Sequence, residues 1–303
     1  MALLVSCSTV PPSNAEDDLC SFVDDMGSRT YVPRTLENVA VLFSSLADMW
    51  TLAGGTVAVT VGESVERGIV SHDVLLVDDG AGKSISAETL ISAAPDFVIG
   101  SADVAAHRAL APILERAGIP FALFRVDTFS DYARVMAVFC EITARVDQYE
   151  VAVTSVKTEV DDILSRTPTE ETPPRVLFVR VGSGYSATKA KRTEEHFVCA
   201  MLAELGAVNL ADAAPALTEG LNVEAILDMD PDFIFLSPMG KESAAKAYMD
   251  SLLSSDAWQS LAAVSMGNYA YLDKNLFQYK PCDDWAEAYA VLYEHLYGTP
   301  AER

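Results

Sequence analysis

Arg125, Arg180 and Lys280 are the side chains of this sequence best suited to hold an anion. A guanidinium offers a planar fork of donors to paired oxygens, and an ammonium adds a point charge. Alongside them stand Phe43, Ser44, Ser45, Asp79, Gly80 and Ser101 in the first half of the chain. Ser183, Tyr185, Ser237, Met239, Phe277 and Tyr279 follow in the second half. Each falls in a segment read as a loop after a strand, where α/β proteins place their ligands. Aromatics, hydroxyls and cations together suit a bulky, partly aromatic, anionic ligand that is held rather than converted.

Catalytic patterns are missing from the same text. There is no Gly-x-Ser-x-Gly elbow and no His-Glu-x-x-His pair. Ser44 and Ser45 sit at a strand–helix turn, but no histidine is placed to activate them. Val181-Gly182-Ser183-Gly184-Tyr185-Ser186 lacks the Gly-Lys-Ser/Thr ending of a phosphate loop. Asp78-Asp79-Gly80 lacks the further acids of a calcium loop and reads as a turn. His72, His107, His196 and His295 show no metal-ligand spacing, and the cysteines form no Cys-x-x-Cys. The expectation is a binding protein, not an enzyme, with no cofactor and no resident metal.

Composition narrows the partners. The chain has 303 residues, half of them hydrophobic, which is enough for two ordinary cores. Its formal net charge of -23 repels polyphosphates, so no nucleic-acid partner is expected. Met1-Ala2-Leu3-Leu4-Val5-Ser6-Cys7 ends like a bacterial lipobox, in which the cysteine is lipidated. A secretory signal has a basic region and about 7–15 apolar residues, so 1–7 reads as the remnant of one. Residues 8–32, with Pro11, Pro12 and several acids, read as a flexible tether. No later run reaches the roughly 18 apolar residues of a membrane span. The expected membrane contact is therefore a lipid anchor on Cys7 and nothing more.

The elements that must position the binding residues alternate. Strands are expected at 39–42, 57–61, 97–100 and 120–124, and helices at 45–53, 87–93 and 105–117. After a linker at 167–174 the style repeats, with strands at 175–179, 233–236 and 269–272. Helices are expected there at 195–205, 244–253 and 286–296. Such alternation implies parallel-rich sheets covered by helices on both faces. Between the halves, apolar residues from Tyr132 to Ile163 recur every three or four positions. That predicts one helix over 129–167, apolar along one face for about nine turns and roughly 50 Å long.

Ser86–Ile99 can be laid over Asn222–Phe235 without gaps. Both read as a capping residue, a Glu two positions later, a helix, Pro-Asp-Phe and a strand. The copies stand 136 residues apart, one on each side of the 129–167 helix. Two similar lobes follow.

With that echo, the chain resembles the ABC-importer binding proteins that serve ferric siderophores, haem and cobalamin. The resemblance covers the chain from about Pro33 and includes Leu42-Phe43-Ser44-Ser45-Leu46-Ala47. It also includes Leu205–Asp212 and Leu272–Pro281 with Trp285. It implies an α/β fold of two lobes, 33–128 and 168–303, joined by one spine helix at 129–167, with the ligand cleft between them. It further implies an extracytoplasmic monomer that delivers a metal chelate to an ABC permease and its ATPase. By the same resemblance, Glu88 and Glu224 dock onto the permease. A ferric siderophore is the expected ligand because of the three basic candidates, ahead of cobalamin or haem in the same carrier role, then direct metal-ion binding, then an enzyme on a related α/β fold.

Overall fold

The computed structural model describes residues 19–78, 84–168 and 172–298. The chain forms two compact units. One ends at Arg125 and takes in Val138–Arg145, and the other comprises Val126–Ala137 and the chain from Val146 onward.

In the first unit, short, mostly apolar runs make β3 (Val39–Val41), β4 (Val59–Thr60), β5 (Leu75–Leu76), β6 (Phe97–Ser101) and β7 (Phe121–Phe124). They pair in the order β5-β4-β3-β6-β7, every pair parallel. The helices between them are α1 (Ser44–Leu52), α2 (Gly62–Glu66), α3 (Ala87–Ser92), α4 (Ala105–Arg108) and α5 (Ala111–Ala117). One core is aliphatic, with Ala40, Leu42, Val98, Leu90 and Leu114. On the other side Phe139 meets Trp50 and Phe124 edge-on at 5.3 and 5.2 Å. The helix expected over 105–117 is two pieces, because Pro112 lacks the N–H that would continue the first.

The tether reading of 8–32 needs correction from Leu19 onward. β1 (Leu19–Val23) and β2 (Arg29–Pro33) form an antiparallel hairpin. Cys20, Phe22 and Val32 are its buried face. Phe22 packs against Phe97 and Phe124 at 6.1 and 5.8 Å between centroids. Asp24 accepts the Leu123 N–H at 3.0 Å, and the Thr30 hydroxyl donates to the Phe121 carbonyl at 3.2 Å. These side chains cap the outer edge of β7, which would otherwise leave ladder groups unpaired. Asp24 and Asp25, which read as tether composition, are edge caps. Cys7 lies outside the described residues.

The 129–167 helix is interrupted. The structure has α6 (Phe129–Ile142), α7 (Val146–Tyr149), a π-helical segment (Glu150–Ser155) and α8 (Val156–Ser165). Ala144 adopts a left-handed φ of 54°. Thr143 turns its hydroxyl to the Ala53 carbonyl at 2.6 Å, and the Arg145 N–H reaches back to Cys140. No Gly or Pro announces this break, so periodicity alone runs through it. The apolar stripe does falter there: Val146 is 72% exposed, whereas Tyr132, Val135, Met136 and Phe139 are fully buried.

The second unit repeats the plan. Its strands are β8 (Arg175–Val181), β9 (Lys189–Ala190), β10 (Val208–Asn209), β11 (Phe233–Pro238) and β12 (Tyr269–Tyr271). They run β10-β8-β11-β12, all parallel, with β9 antiparallel on β8. Helices α9 (Phe197–Glu204), α10 (Val223–Met229), α11 (Glu242–Leu253), α12 (Asp256–Gln259), α13 (Ala262–Ser265), α14 (Lys274–Phe277) and α15 (Trp285–Tyr297) cover the sheet. Leu177, Val179 and Val181 of β8 enter one core, which sends Val176, Phe178 and Arg180 to the opposite face.

The sequence echo has a structural cause. Ser86 caps α3 by accepting from Thr89 N–H at 3.2 Å, and Asn222 caps α10 through Ala225 N–H at 3.1 Å. Each helix is followed by a left-handed residue, Ala94 (φ 47°) or Asp230 (φ 39°), that turns the chain into Pro-Asp. Asp96 then accepts the Glu37 and Asn38 N–H groups, and Asp232 accepts that of Arg175 at 2.7 Å. Each carboxylate thus ties the entry of one strand to that of its parallel neighbour. Among the described residues the four cysteines are free and buried, and no helix is long and apolar enough to cross a membrane.

Candidate functional site

In the first unit the candidate residues follow the carboxyl ends of adjacent strands. Phe43 is the residue before α1 and is partly buried. Ser44 and Ser45 are buried, which corrects their reading as loop contacts. The Ser44 hydroxyl donates to Glu63 at 2.6 Å and accepts from Arg67 at 3.2 Å, while Arg67 pairs with Asp48 at 2.9 Å. Ser44 therefore ties α1 to α2.

Ser101 ends β6. Its N–H donates to His107 Nδ1 at 3.0 Å, and its hydroxyl accepts from the Asp103 N–H at 3.2 Å. With Nδ1 accepting, His107 carries its proton on Nε2, a buried atom with no partner among the described residues. Burial pushes the His107 pKa down to about 4. Arg125 is exposed and pairs with Asp103 at 2.7 Å, so its charge is largely answered locally. Asp79 and Gly80 lie outside the described residues.

The second unit concentrates positive charge. Arg180 stands near the end of β8, directly across the ladder from Ser237 of β11. Ser237 is buried, and its hydroxyl makes no hydrogen bond among the described residues. Next along, the Met239 N–H bonds Val181 O at 2.8 Å. Arg180 Nη1 lies 2.8 Å from His196 Nε2, while Arg180 Nε is buried with no partner among the described residues. Burial lowers the Arg180 pKa, since a buried guanidinium beside His196 loses water it does not replace.

His196 holds the first turn of α9, with its Nδ1 3.3 Å from the Val198 N–H. Its ring packs on Phe178 and Phe197 at 4.6 and 4.8 Å. Burial, then Arg180, Lys280 and Lys191, hold its pKa well below the ordinary range. Lys280 lies 4.7 Å above the Phe197 ring and 3.3 Å from Asp127. A buried guanidinium whose Nε lacks an acceptor among the described residues is costly unless an anion completes it.

The second unit also holds the other candidates. Tyr185 is 60% exposed and rests against Gly220, where any Cβ would stand 2.8 Å from the ring. Ser183 is exposed in the turn before it. Tyr279 is nearly buried under Lys274, which lies 4.8 Å over its ring. Phe277 is 1% exposed, so it is core rather than lining.

His196, Phe197 and Lys191 were not legible as site residues. They follow Arg180 by 11 to 17 positions with no motif, and β9 and α9 fold them back beside β8. The one usable signal was the basic run Lys189-Ala190-Lys191-Arg192 in a strongly acidic chain.

Several solved structures share this fold at low identity. The haem-binding protein RhuT from Roseiflexus sp. RS-1 superposes with a TM-score of 0.71 at 19% identity, covering 87% of this chain and 98% of its own. IsdE of S. aureus complexed with heme gives 0.68 at 14% identity, with coverages of 86% and 98%. The siderophore-binding protein BauB, bound to acinetobactin and ferric iron, gives 0.74 at 12% identity, with 93% and 99% covered. No curated protein matches the sequence significantly. The family model for periplasmic binding proteins matches residues 39–276, from β3 to α14 and across both repeats. Two echoed α/β units, with polar residues gathered after their strands, belong to that match, and the chain is a member of the periplasmic binding protein family.

Proposed function

We propose that the chain is the extracytoplasmic substrate-binding protein of an ABC importer and that it carries an anionic metal chelate. The observation that carries this reading is Arg180, held at a strand end with a buried, unpartnered Nε beside His196 and Lys280. An anionic chelate supplies the oxygen acceptors this cluster lacks. Ser183, Tyr185, Ser237, Met239 and Tyr279 of the same unit complete the proposed contacts. BauB and the haem-binding relatives support the ligand class, and a ferric siderophore is the first choice within it. Haem presents carboxylates to the same nest and is the second, followed by cobalamin.

The deciding titration uses tryptophan fluorescence of the chain without its first seven residues, with Trp50, Trp258 and Trp285 as reporters. Ferric siderophores, haemin and cyanocobalamin are compared under inner-filter control, with calorimetry to confirm. One saturable, micromolar or tighter ligand is expected. No saturation across the panel would remove the chelate reading.

Delivery is proposed to run through Glu88 and Glu224, with Cys7 as the lipid anchor. Both acids are exposed in first turns of short helices, and neither makes an ion pair among the described residues. Glu88→Lys with Glu224→Lys is expected to leave ligand affinity unchanged and to cut uptake at least about tenfold, since like-charge contacts cost several kcal/mol. Uptake that survives the double reversal sinks the docking role.

A further inference from the structure

Nothing in chelate capture as such requires His196, yet its ring is met by an N–H donor at each nitrogen. Arg180 Nη1 stands 2.8 Å from Nε2, and the Val198 N–H stands 3.3 Å from Nδ1. A neutral imidazole has one lone pair to offer, and an imidazolium has none. In the ligand-free protein the ring can satisfy one of the two donors, and protonation would satisfy neither. Every charge that faces it discourages protonation: Arg180 from β8, Lys191 after β9 and Lys280 after α14. The nearby carboxylates are turned elsewhere. Glu195 bonds the Arg192 N–H and guanidinium at 3.0 and 3.3 Å, Asp212 takes Thr193, and Asp127 lies on Lys280.

We propose that His196 is a specificity-determining residue that couples the capture of an oxyanionic ligand at Arg180 to the uptake of one proton on its imidazole. The inference rests on the carrier reading of the same nest. An oxyanion at Arg180 accepts from Nη1 and from the unpartnered Nε, so Nε2 no longer has to serve as the guanidinium's acceptor. The ligand's charge also offsets the three cations around the ring. Nε2 then takes a proton from solvent and donates to the same oxyanion, while Nδ1–H turns toward water or shifts off Val198. One proton enters per ligand, and no bond is made or broken. A neutral ligand of the same shape drives no such step.

The direction of the pH dependence follows from linkage. The ring's pKa is low in the free protein and higher in the complex, so binding takes up a proton between those two values. Across that window affinity rises as pH falls, by up to about tenfold per pH unit, and it levels off on either side.

The test uses the gallium(III) form of an anionic siderophore, a diamagnetic stand-in for the ferric chelate, and citrate as a small oxyanion. Calorimetry at pH 6.5 in two buffers of different ionisation enthalpy is expected to show about one proton taken up per chelate bound. Affinity is expected to rise at least about fivefold from pH 7.5 to 5.5. His196→Asn keeps a side-chain oxygen for Arg180 but cannot titrate. It is expected to bind at pH 7.5 and to lose both the proton uptake and the pH slope. Proton uptake equal in wild type and His196→Asn, or absent from a wild type that binds, overturns the inference. NMR titration of the His196 Cε1–H separates the two readings. If citrate raises the His196 pKa while no chelate binds, the coupling stands and the chelate reading falls. If neither probe moves it, the coupling falls.

Discussion

Replacing Arg180 by methionine is expected to weaken binding of an anionic chelate about 100-fold while leaving the ligand-free fold as stable as before, or more so. The loss follows from the charge-assisted hydrogen bonds a guanidinium makes to a desolvated anion, about 1.5–3 kcal/mol each. At about 1.4 kcal/mol per tenfold, one such bond gives a factor of roughly 10 to 150. The stability half of the result has a separate cause. Arg180 pairs with no carboxylate among the described residues, its Nε is buried and unsatisfied, and its nearest polar partner is a neutral imidazole. Methionine fills the space beside Phe178 and removes the desolvated charge, and such exchanges are often neutral or stabilising. Isothermal calorimetry and thermal melting of the same preparation measure both halves. Arg116→Gln, on the exposed end of α5, serves as a charge-matched control. Unchanged affinity in Arg180→Met, with Arg116→Gln also unchanged, would mean that the ligand does not lie on this strand end.

Trp285→Ala should cost the second unit about 3–5 kcal/mol, the usual range for deleting a fully enclosed aromatic. Trp285 has no exposed surface and opens α15. It meets Phe129 and Phe197 edge-on at 6.1 and 5.9 Å and Tyr289 at 6.3 Å, so one ring joins α6, α9 and α15. The indole Nε1–H is buried without a partner among the described residues. Trp285→Phe therefore deletes an unsatisfied donor along with part of the ring, and should lose no more than about half as much. Urea unfolding followed by circular dichroism distinguishes the three proteins. A loss under 1 kcal/mol in the alanine variant would show that the aromatic cluster is not what holds these helices together. Phe197 lies directly under Lys280, so the variant that melts earliest should also bind ligand most weakly.

Legibility differed by element for physical reasons. The parallel strands β3, β4, β6, β7, β8 and β11 were readable because each is a short, largely buried apolar run, Phe97–Ser101 being the plainest case, whereas the two-residue strands β5 and β10, with exposed positions, carried no such signal. The Pro-Asp echo was readable because a local device produces it, a cap followed by a left-handed turn and a carboxylate clasp on the next strand entry. The β1–β2 hairpin was misread because Asp24, Asp25 and Gly27 have the composition of a tether. Their role as caps exists only once β7 presents its edge. The break at Ala144 left no trace in residue type, since the Thr143 hydroxyl and the Ala53 carbonyl stabilise it across 90 positions.

The site divided along the same line. Sequence by itself determined that the chain alternates strand and helix in two echoed halves. It also determined that Arg180, Ser237 and Met239 lie at strand ends, because periodicity and turn chemistry act over a few residues. Only the tertiary structure decided which candidates are usable. Ser44, Ser45 and Phe277 went into the core, and Arg125 was matched by Asp103. His196 came from an unmarked position to stand beside Arg180. A charge's worth depends on its desolvation and on what stands within a few ångströms, and both are properties of the packed chain.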